Sequence, residues 1–133
     1  FPGVPLAILH PKSQFTLIDS RRKKSLFLQE VADECSLKNI HVVCDRVEDF
    51  GASLSPQYDL VLARAVAALD ILWRWASPIL KQDGALVAIK GGDVREEVNQ
   101  LLVSADVNVD TLSFHGEQLS SFESKKIVVA TFK

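Results

Sequence analysis

The sequence is poor in the residues that build disulfide frameworks and metal sites. Its 133 residues include two cysteines and three histidines. Cys35 and Cys44 form no C-x-x-C pair, which argues against a disulfide framework and a cysteine-based zinc site. We expect both to be small core residues in a reducing compartment. His10, His41 and His115 lack the spacing of metal ligands, and we expect them to be structural or exposed.

Long apolar runs and a strong charge of either sign are also missing. No stretch approaches the length of a membrane span. The formal net charge is −2, so a surface that binds nucleic acid must be local. The composition, 47% hydrophobic and 24% charged, is that of an ordinary globular protein. We expect residues 1–133 to form one domain around a single core.

The first residues, FPGVPLAILHP, predict a short helix that follows a turn. Pro5 fits the first turn of a helix, where its missing N–H costs no hydrogen bond, and Pro11 ends the apolar run. A turn of this kind usually follows a glycine-rich loop. Neither an initiator methionine nor a first strand precedes it. We therefore expect the natural protein to be longer at this end.

Apolar runs alternate along the chain with helical patterns. Short runs predict strands at 15–19, 40–47, 58–65, 85–91, 109–115 and 125–133. Helices are predicted at 20–36 with Ser20 as the cap, at 66–81 ending before Gly84, and around Val94 to Leu102. This order predicts an α/β fold with a mostly parallel sheet covered on both faces. The last two strands are too close for a helical crossover, which predicts an antiparallel hairpin at the sheet edge.

Acidic residues lie at the ends of the first two predicted strands, at the edge of the sheet where such folds bind ligands. Asp19 could accept both hydrogen bonds of a ribose diol, or it could cap the following helix beside Ser20. Glu48 could accept a hydrogen bond from an adenine amino group while the backbone of Val47 and Glu48 meets the base edge. The alternative for Glu48 is a solvated acidic turn.

Cations mark the ends of the next two strands and the start of the first long helix. Arg64 lies in a small apolar stretch, where it would serve a ligand or pair with Asp59 or Asp70. Lys90 precedes two glycines, so we expect an exposed cation on a flexible turn. The run RRKK, residues 21–24, lies in the first helical turn, where the helix dipole disfavours cations. It predicts either a phosphate-binding cluster or a solvated face.

Five segments taken in order resemble one family, the bacterial small-subunit ribosomal RNA guanine-N7 methyltransferases, also called glucose-inhibited division protein B. They are FPGVPLAI, FTLIDS, DRVEDF, YDLVLARAVAAL and AIKG, which lie within residues 1–92. The resemblance implies a class I S-adenosylmethionine-dependent methyltransferase fold, Rossmann-like, with a C-terminal antiparallel hairpin. The family's first strand and glycine-rich motif would precede residue 1. That strand would lie at the sheet's centre, so we expect two open strand edges in this chain.

The resemblance also implies functional residues. The S-adenosylmethionine cofactor would contact Phe1, Asp19, Val47, Glu48 and Arg64. Ribosomal RNA would contact Arg21, Arg22, Lys23, Lys24 and Lys90. The family often has alanine where this chain has Val47, which leaves the backbone contact possible.

The implied reaction is in-line methyl transfer to N7 of a guanine in 16S ribosomal RNA. Because N7 carries a free lone pair, we assign no general base and expect orientation to supply much of the rate. The resemblance further implies a cytoplasmic monomer without a metal or a membrane. Two alternatives stay open. One is a non-catalytic methyltransferase-like module that binds RNA or protein; the other is a nicotinamide-dependent Rossmann domain, disfavoured by the hairpin and the missing G-x-G-x-x-G.

Overall fold

The structure, a computed structural model, describes residues 2–53, 55–115, 121 and 124–133. They fall into two compact units, residues 1–53 and 54–133. The first contains α1 (Gly3–Leu9), β1 (Phe15–Ile18), α2 (Arg22–Glu34), β2 (Ile40–Val43) and α3 (Val47–Phe50), followed by a 3-10 turn at Gly51–Ser53. The second contains β3 (Tyr58–Arg64), α4 (Leu69–Ala76), β4 (Leu80–Gly91), α5 (Arg95–Ser104), β5 (Val107–Ser113) and β6 (Lys125–Phe132).

The first unit is built on a parallel strand pair. β1 and β2 run side by side, with Ile18 opposite Val43 at their carboxyl ends. Pro5 lies in the first turn of α1, as predicted. Gly3 of α1 lies so close to β1 that a Cβ there would overlap the side chain of Leu17. Because β1 and β2 are parallel, their carboxyl ends meet at one edge, which is the edge expected to bind a ligand.

A buried amide joins the end of α1 to the start of β2. Asn39 is only 7% exposed. Its Nδ2 donates to the carbonyl oxygens of Ala7 at 3.0 Å, His10 at 3.2 Å and Ser13 at 3.0 Å. These carbonyls lie in the last turn of α1 and in the loop after it, where the helix no longer supplies a full set of N–H donors. The amide therefore supplies donors that this part of the backbone needs.

The second unit is a four-stranded sheet in the order β3-β4-β6-β5. β3 and β4 are parallel, whereas β6 is antiparallel to both β4 and β5, which confirms the predicted terminal hairpin. α4 and α5 cover a core in which Leu69, Leu86 and Leu101 are almost fully buried. The rings of Trp73 and Phe132 meet edge to face, with centroids 4.9 Å apart.

The helix predicted at 66–81 is shorter than expected. α4 ends at Ala76, and Leu80, assigned to the helix by periodicity, begins β4 instead. Pro78 cannot continue a helical ladder. The carbonyl oxygen of Ile79 accepts the N–H groups of Gln57 at 2.9 Å and Tyr58 at 3.0 Å, which draws this segment into the sheet.

The same tertiary pairing overturns the expected role of Gly84. This glycine lies within β4 and does not end a helix. A Cβ there would lie 3.0 Å from the carbonyl oxygens of Tyr58 and Lys81. Gly84 therefore permits a close backbone approach beside a register shift between β3 and β4.

The second predicted strand is also shorter than expected. β2 ends at Val43, and Val47 begins the helical turn α3. The carboxylate of Asp45 accepts the N–H of Arg46 at 2.8 Å, which turns the chain out of the strand. Val47 and Glu48 consequently lie beyond the end of the sheet on a helical turn.

Both cysteines are exposed, so the expectation that they pack in the core is wrong. Cys44 directly follows the last residue of β2, and Cys35 directly follows the last residue of α2. Each lies just beyond the part of its element that packs against a neighbour.

Candidate functional site

Asp19 directly follows β1, and hydrogen bonds fix its position. Its N–H donates to the Val43 carbonyl at 3.2 Å, and its own carbonyl accepts the buried Ser25 hydroxyl at 3.0 Å. Its Oδ1 accepts the Arg21 N–H at 2.9 Å and the Arg21 Nε at 3.3 Å. Arg21 occupies the N-cap position of α2, so the prediction of Ser20 as the cap is wrong. The Asp19 carboxylate therefore accepts the backbone N–H of Arg21 at the start of the helix.

The Asp19 carboxylate is stabilised in its charged form. Partial burial raises its pKa, but the backbone and side-chain hydrogen bonds from Arg21 and the charges of Arg21 and Lys24 outweigh that effect. The pKa of Asp19 therefore lies below its ordinary value. Within the described residues, Oδ2 takes part in none of these hydrogen bonds. Its lone pairs are suited to the paired hydroxyl groups of a ribose.

Val47 and Glu48 lie at the same edge as Asp19. α3 follows the carboxyl end of β2, and β2 is parallel to β1. The Glu48 side chain is 43% exposed and lies 3.7 Å from the Arg46 Nε. An exposed pair at this distance contributes little to stability, so a ligand can replace the arginine at little cost. The first unit thus brings together an ionised carboxylate, an exposed backbone turn and a second carboxylate.

The run RRKK lies at the start of α2, next to Asp19. Arg21 pairs with Asp19, and Arg22, Lys23 and Lys24 are exposed in the first helical turn. The turn itself, which the structure describes in full, contains no acidic residue, and Asp19 beside it interacts with Arg21 and Lys24. Cations at the amino end of a helix interact unfavourably with the helix dipole. This position therefore favours the interpretation that the cluster binds an anion. Binding of RNA by these four residues stays a prediction.

Arg64 ends β3 and is exposed, so it does not carry the cost of burial expected from its apolar neighbours. Within the described part of the chain, no ion pair of Arg64 is found. Asp59, one of its predicted partners, pairs instead with Lys81, whose Nζ lies 2.7 Å from Oδ1. The next residue, Ala65, has a left-handed backbone with φ of 50°. Arg64 therefore remains available to a ligand at the carboxyl end of β3.

Lys90 is not the exposed cation on a flexible turn that the sequence predicted. It lies within β4, and its side chain is only 13% exposed. Its Nζ forms an ion pair with the Glu97 Oε2 at 2.8 Å and donates to the Ala67 carbonyl at 2.9 Å. No sequence pattern pointed to Glu97, because strand and helix meet only in the folded unit. Contact of Lys90 with RNA stays a prediction that this pairing does not favour.

The remaining expectations concern Phe1, metals and membranes. Phe1 lies outside the described residues. Across the ranges that the structure describes, no group of three His, Cys, Asp or Glu side chains is placed to hold a metal ion. In the same ranges, no helix combines the length and apolar character needed to cross a bilayer.

Comparison with known proteins supplies the family. The family model for rRNA small subunit methyltransferase G matches residues 1–126. The ribosomal RNA small subunit methyltransferase G of Thermoanaerobacter pseudethanolicus is 41% identical over 100 residues, which cover 74% of this chain and 42% of that protein. The protein of the same name from Desulforamulus reducens is 38% identical over 136 residues, which cover 100% of this chain and 57% of that protein.

A solved structure supports the fold. The S-adenosylmethionine-dependent O-methyltransferase of Thermotoga maritima superposes with a TM-score of 0.72 at 9% identity, covering 96% of this chain and 54% of that one. At such low identity, the likeness shows only the class I methyltransferase fold. The chain spans about half the length of the curated relatives it matches. On the family model and these relatives together, the chain belongs to the rRNA small subunit methyltransferase G family.

Proposed function

We propose that this protein transfers a methyl group from S-adenosylmethionine to N7 of a guanine in small-subunit (16S) ribosomal RNA. Family membership and the names of the relatives support the reaction class and the RNA. The observation that carries the proposal is the carboxyl edge of β1 and β2, where a charged Asp19 and the turn of Val47 and Glu48 lie together. Such an edge is where α/β folds bind nucleosides.

The residues present fit the nucleoside part of the cofactor. The Asp19 Oδ2 would accept hydrogen bonds from the ribose hydroxyls. The Val47 backbone and the Glu48 carboxylate would meet the adenine edge, and the family resemblance adds Phe1 and Arg64. When bound, S-adenosylmethionine supplies an electrophilic methyl group on sulfur. The Thermotoga protein, which shares the fold, is named for its dependence on S-adenosylmethionine, and this supports the choice of cofactor.

Methyl transfer to N7 would require these residues mainly to orient the reactants. Guanine N7 has a lone pair and no proton to remove, so a general base is not required. Holding N7 in line with the methyl group supplies much of the rate. Arg22, Lys23 and Lys24 would bind phosphates and so place the RNA, while exposed Arg64 would act at the end of β3.

Methyl transfer to RNA tests the proposal directly. The full-length protein is incubated with small-subunit ribosomal RNA and methyl-labelled S-adenosylmethionine, and the digested nucleosides are separated. We expect the label in 7-methylguanosine, with a large loss in Asp19→Ala. Asp59→Ala is the control, because this carboxylate lies at the amino end of β3 and pairs with Lys81.

Three results would contradict the proposal. Label in a different nucleoside would refute the N7 assignment. RNA binding without any methyl transfer would favour the non-catalytic module. A fluorescence titration that shows binding of NADH and none of S-adenosylmethionine would favour the nicotinamide-dependent alternative.

A further inference from the structure

A partly buried ion pair joins three elements of the second unit. Lys90 of β4 and Glu97 of α5 meet at 2.8 Å, with side chains 13% and 33% exposed. The same lysine Nζ donates to the Ala67 carbonyl at 2.9 Å. The same glutamate Oε2 accepts the Leu69 N–H at 3.1 Å, the first backbone donor of α4. Two side chains thus hold the backbone on either side of Ala68, at the carboxyl end of the connection between β3 and α4.

That segment, residues 65–68, connects Arg64 to α4 and needs support. Ala65 has a left-handed backbone with φ of 50°, which side-chain-bearing residues adopt reluctantly. Val66 is 62% exposed, so burial does not hold it in place. The segment lies between the end of β3 and the start of α4, and only Ala68 joins the helix ladder, where its carbonyl accepts the Leu72 N–H at 2.9 Å. A conformation of this kind persists when its surroundings fix it.

Lys90 and Glu97 both contact backbone groups of this connection. A cation donating to a carbonyl and a carboxylate accepting an N–H form charge-assisted hydrogen bonds, which are stronger than neutral ones. An apolar pair of the same size would fill the space without fixing the direction of either backbone group. The pair therefore fixes the directions of the Ala67 carbonyl and the Leu69 N–H.

We propose that Lys90 and Glu97 are positioning residues that hold the carboxyl end of segment 65–68, and through this segment Arg64, in the geometry used for methyl transfer. The inference rests on the proposed function for its catalytic part, whereas the hold on the segment is a property of the fold. It assigns to Lys90 a role distinct from contact with RNA and gives Glu97 a role that the sequence did not predict.

The experiment compares four forms of the full-length protein: wild type, Lys90→Met, Glu97→Leu and the double variant. Each single variant leaves one charge without its partner and is expected to lose stability. The double variant leaves neither, so its fold is retained while the segment loses its support. Lys126→Met is the matched control, because Lys126 lies opposite Lys90 in the β4–β6 pair and contacts Ser113 instead.

Hydrogen exchange and kinetics are the two readouts. In the double variant we expect the Leu69 amide to exchange at least about tenfold faster, with β6 amides unchanged. The kcat/KM for RNA methylation should fall about tenfold to a hundredfold, as misplaced groups typically cause. The losses in kcat/KM of the two single variants should not add up in the double variant, because both substitutions break the same ion pair. Lys126→Met should leave exchange at Leu69 as in wild type.

Two results would overturn the inference. Unchanged exchange at Leu69 in the double variant would show that the pair does not hold the segment. A reduced salt dependence of RNA affinity in Lys90→Met, with full turnover in Glu97→Leu, would make Lys90 an RNA contact. If the wild type methylates no RNA, the proposed function and the role of Arg64 fail, while exchange at Leu69 still decides the hold on the segment.

Discussion

The buried amide of Asn39 links three parts of the first unit. It donates to carbonyls in the last turn of α1 and in the loop after it, and Asn39 itself lies directly before β2. Its three carbonyl partners lie 26 to 32 positions away in the sequence. Only the packed unit brings them together.

Replacement of Asn39 by alanine should destabilise the protein by about 2 to 3 kcal/mol, because one buried and two partly buried hydrogen bonds lose their donor. Urea unfolding followed by tryptophan fluorescence and by circular dichroism measures the loss. Asn108→Ala is the control, since Asn108 is exposed and donates only at 3.4 Å to Phe132, and it should change the free energy of unfolding by less than about 0.5 kcal/mol. Equal effects in the two variants would refute the role of the buried amide.

Asp19 was predictable from the sequence, because it directly follows an apolar run and the carboxyl ends of such strands bind ligands. Lys90 was not, because the sequence predicted different surroundings from those in the structure. Two following glycines suggest a loose turn, but Gly91 is the last residue of β4 and the lysine is still within the strand. Its partner Glu97 lies on the next helix, and no local pattern links the two positions. Side-chain partners on different elements are the part of a site that a single sequence conceals.

At the scale of elements, periodicity located the strands well and the ends of the helices poorly. β3 and β6 lie within the predicted ranges because each contains an apolar run, 60–63 and 127–130, that polar residues bound on both sides. α4 ends early because Pro78 and the hydrogen bonds to the Ile79 carbonyl decide its end. Pro78 is visible in the sequence and already indicates this end, whereas the N–H groups of Gln57 and Tyr58 reach Ile79 only in the folded unit.

The two neighbouring leucines of α5 test which face of the helix is packed. Leu101 is fully buried, whereas Leu102 is 46% exposed. Leu101→Ala should lower the free energy of unfolding by about 3 kcal/mol, through lost burial and a cavity. Leu102→Ala should lower it by less than about 1 kcal/mol. Denaturant unfolding of both variants gives the comparison, and a larger loss in Leu102→Ala would contradict the placement of α5.

We expect the ion pair of Asp93 and Arg95 at the start of α5 to give the fold an acid dependence. Hydrogen bonds from the Arg95 side chain and backbone lower the pKa of Asp93 to about 2. A depressed carboxylate pKa stabilises the fold fully above the unfolded value of about 3.9, and this stability is lost as the pH falls through the folded pKa. Asp93→Asn should therefore flatten the pH dependence of the unfolding free energy between about pH 4 and pH 2.

The partner variant gives this prediction a direct check. Arg95→Gln removes the charged guanidinium group, so the pKa of Asp93 should rise towards its ordinary value. Carboxyl chemical shifts followed by NMR through an acid titration measure it. A pKa for Asp93 that is the same in Arg95→Gln and in wild type would show that the arginine side chain does not set it.

For the molecule as a whole, net charge excludes a uniformly basic surface and makes RNA binding a local property. The double variant Lys23→Glu/Lys24→Glu should weaken RNA affinity and reduce the slope of log affinity against log salt by roughly one to two. Lys12→Glu/Lys38→Glu changes the net charge equally at the amino ends of β1 and β2, and should leave the slope unchanged. Equal slopes in the two double variants would contradict RNA binding by the RRKK run and favour its interpretation as a solvated face.

The central claim is that the carboxyl edge of β1 and β2 binds S-adenosylmethionine. Calorimetric titration of S-adenosylmethionine into the full-length protein tests it most directly. We expect binding by the wild type and by Asp59→Ala, and at least about tenfold weaker binding by Asp19→Ala and by Glu48→Ala, equivalent to about 1.4 kcal/mol each. Identical affinities in all four proteins, or no binding by the wild type, would contradict the assignment of this edge as the cofactor site.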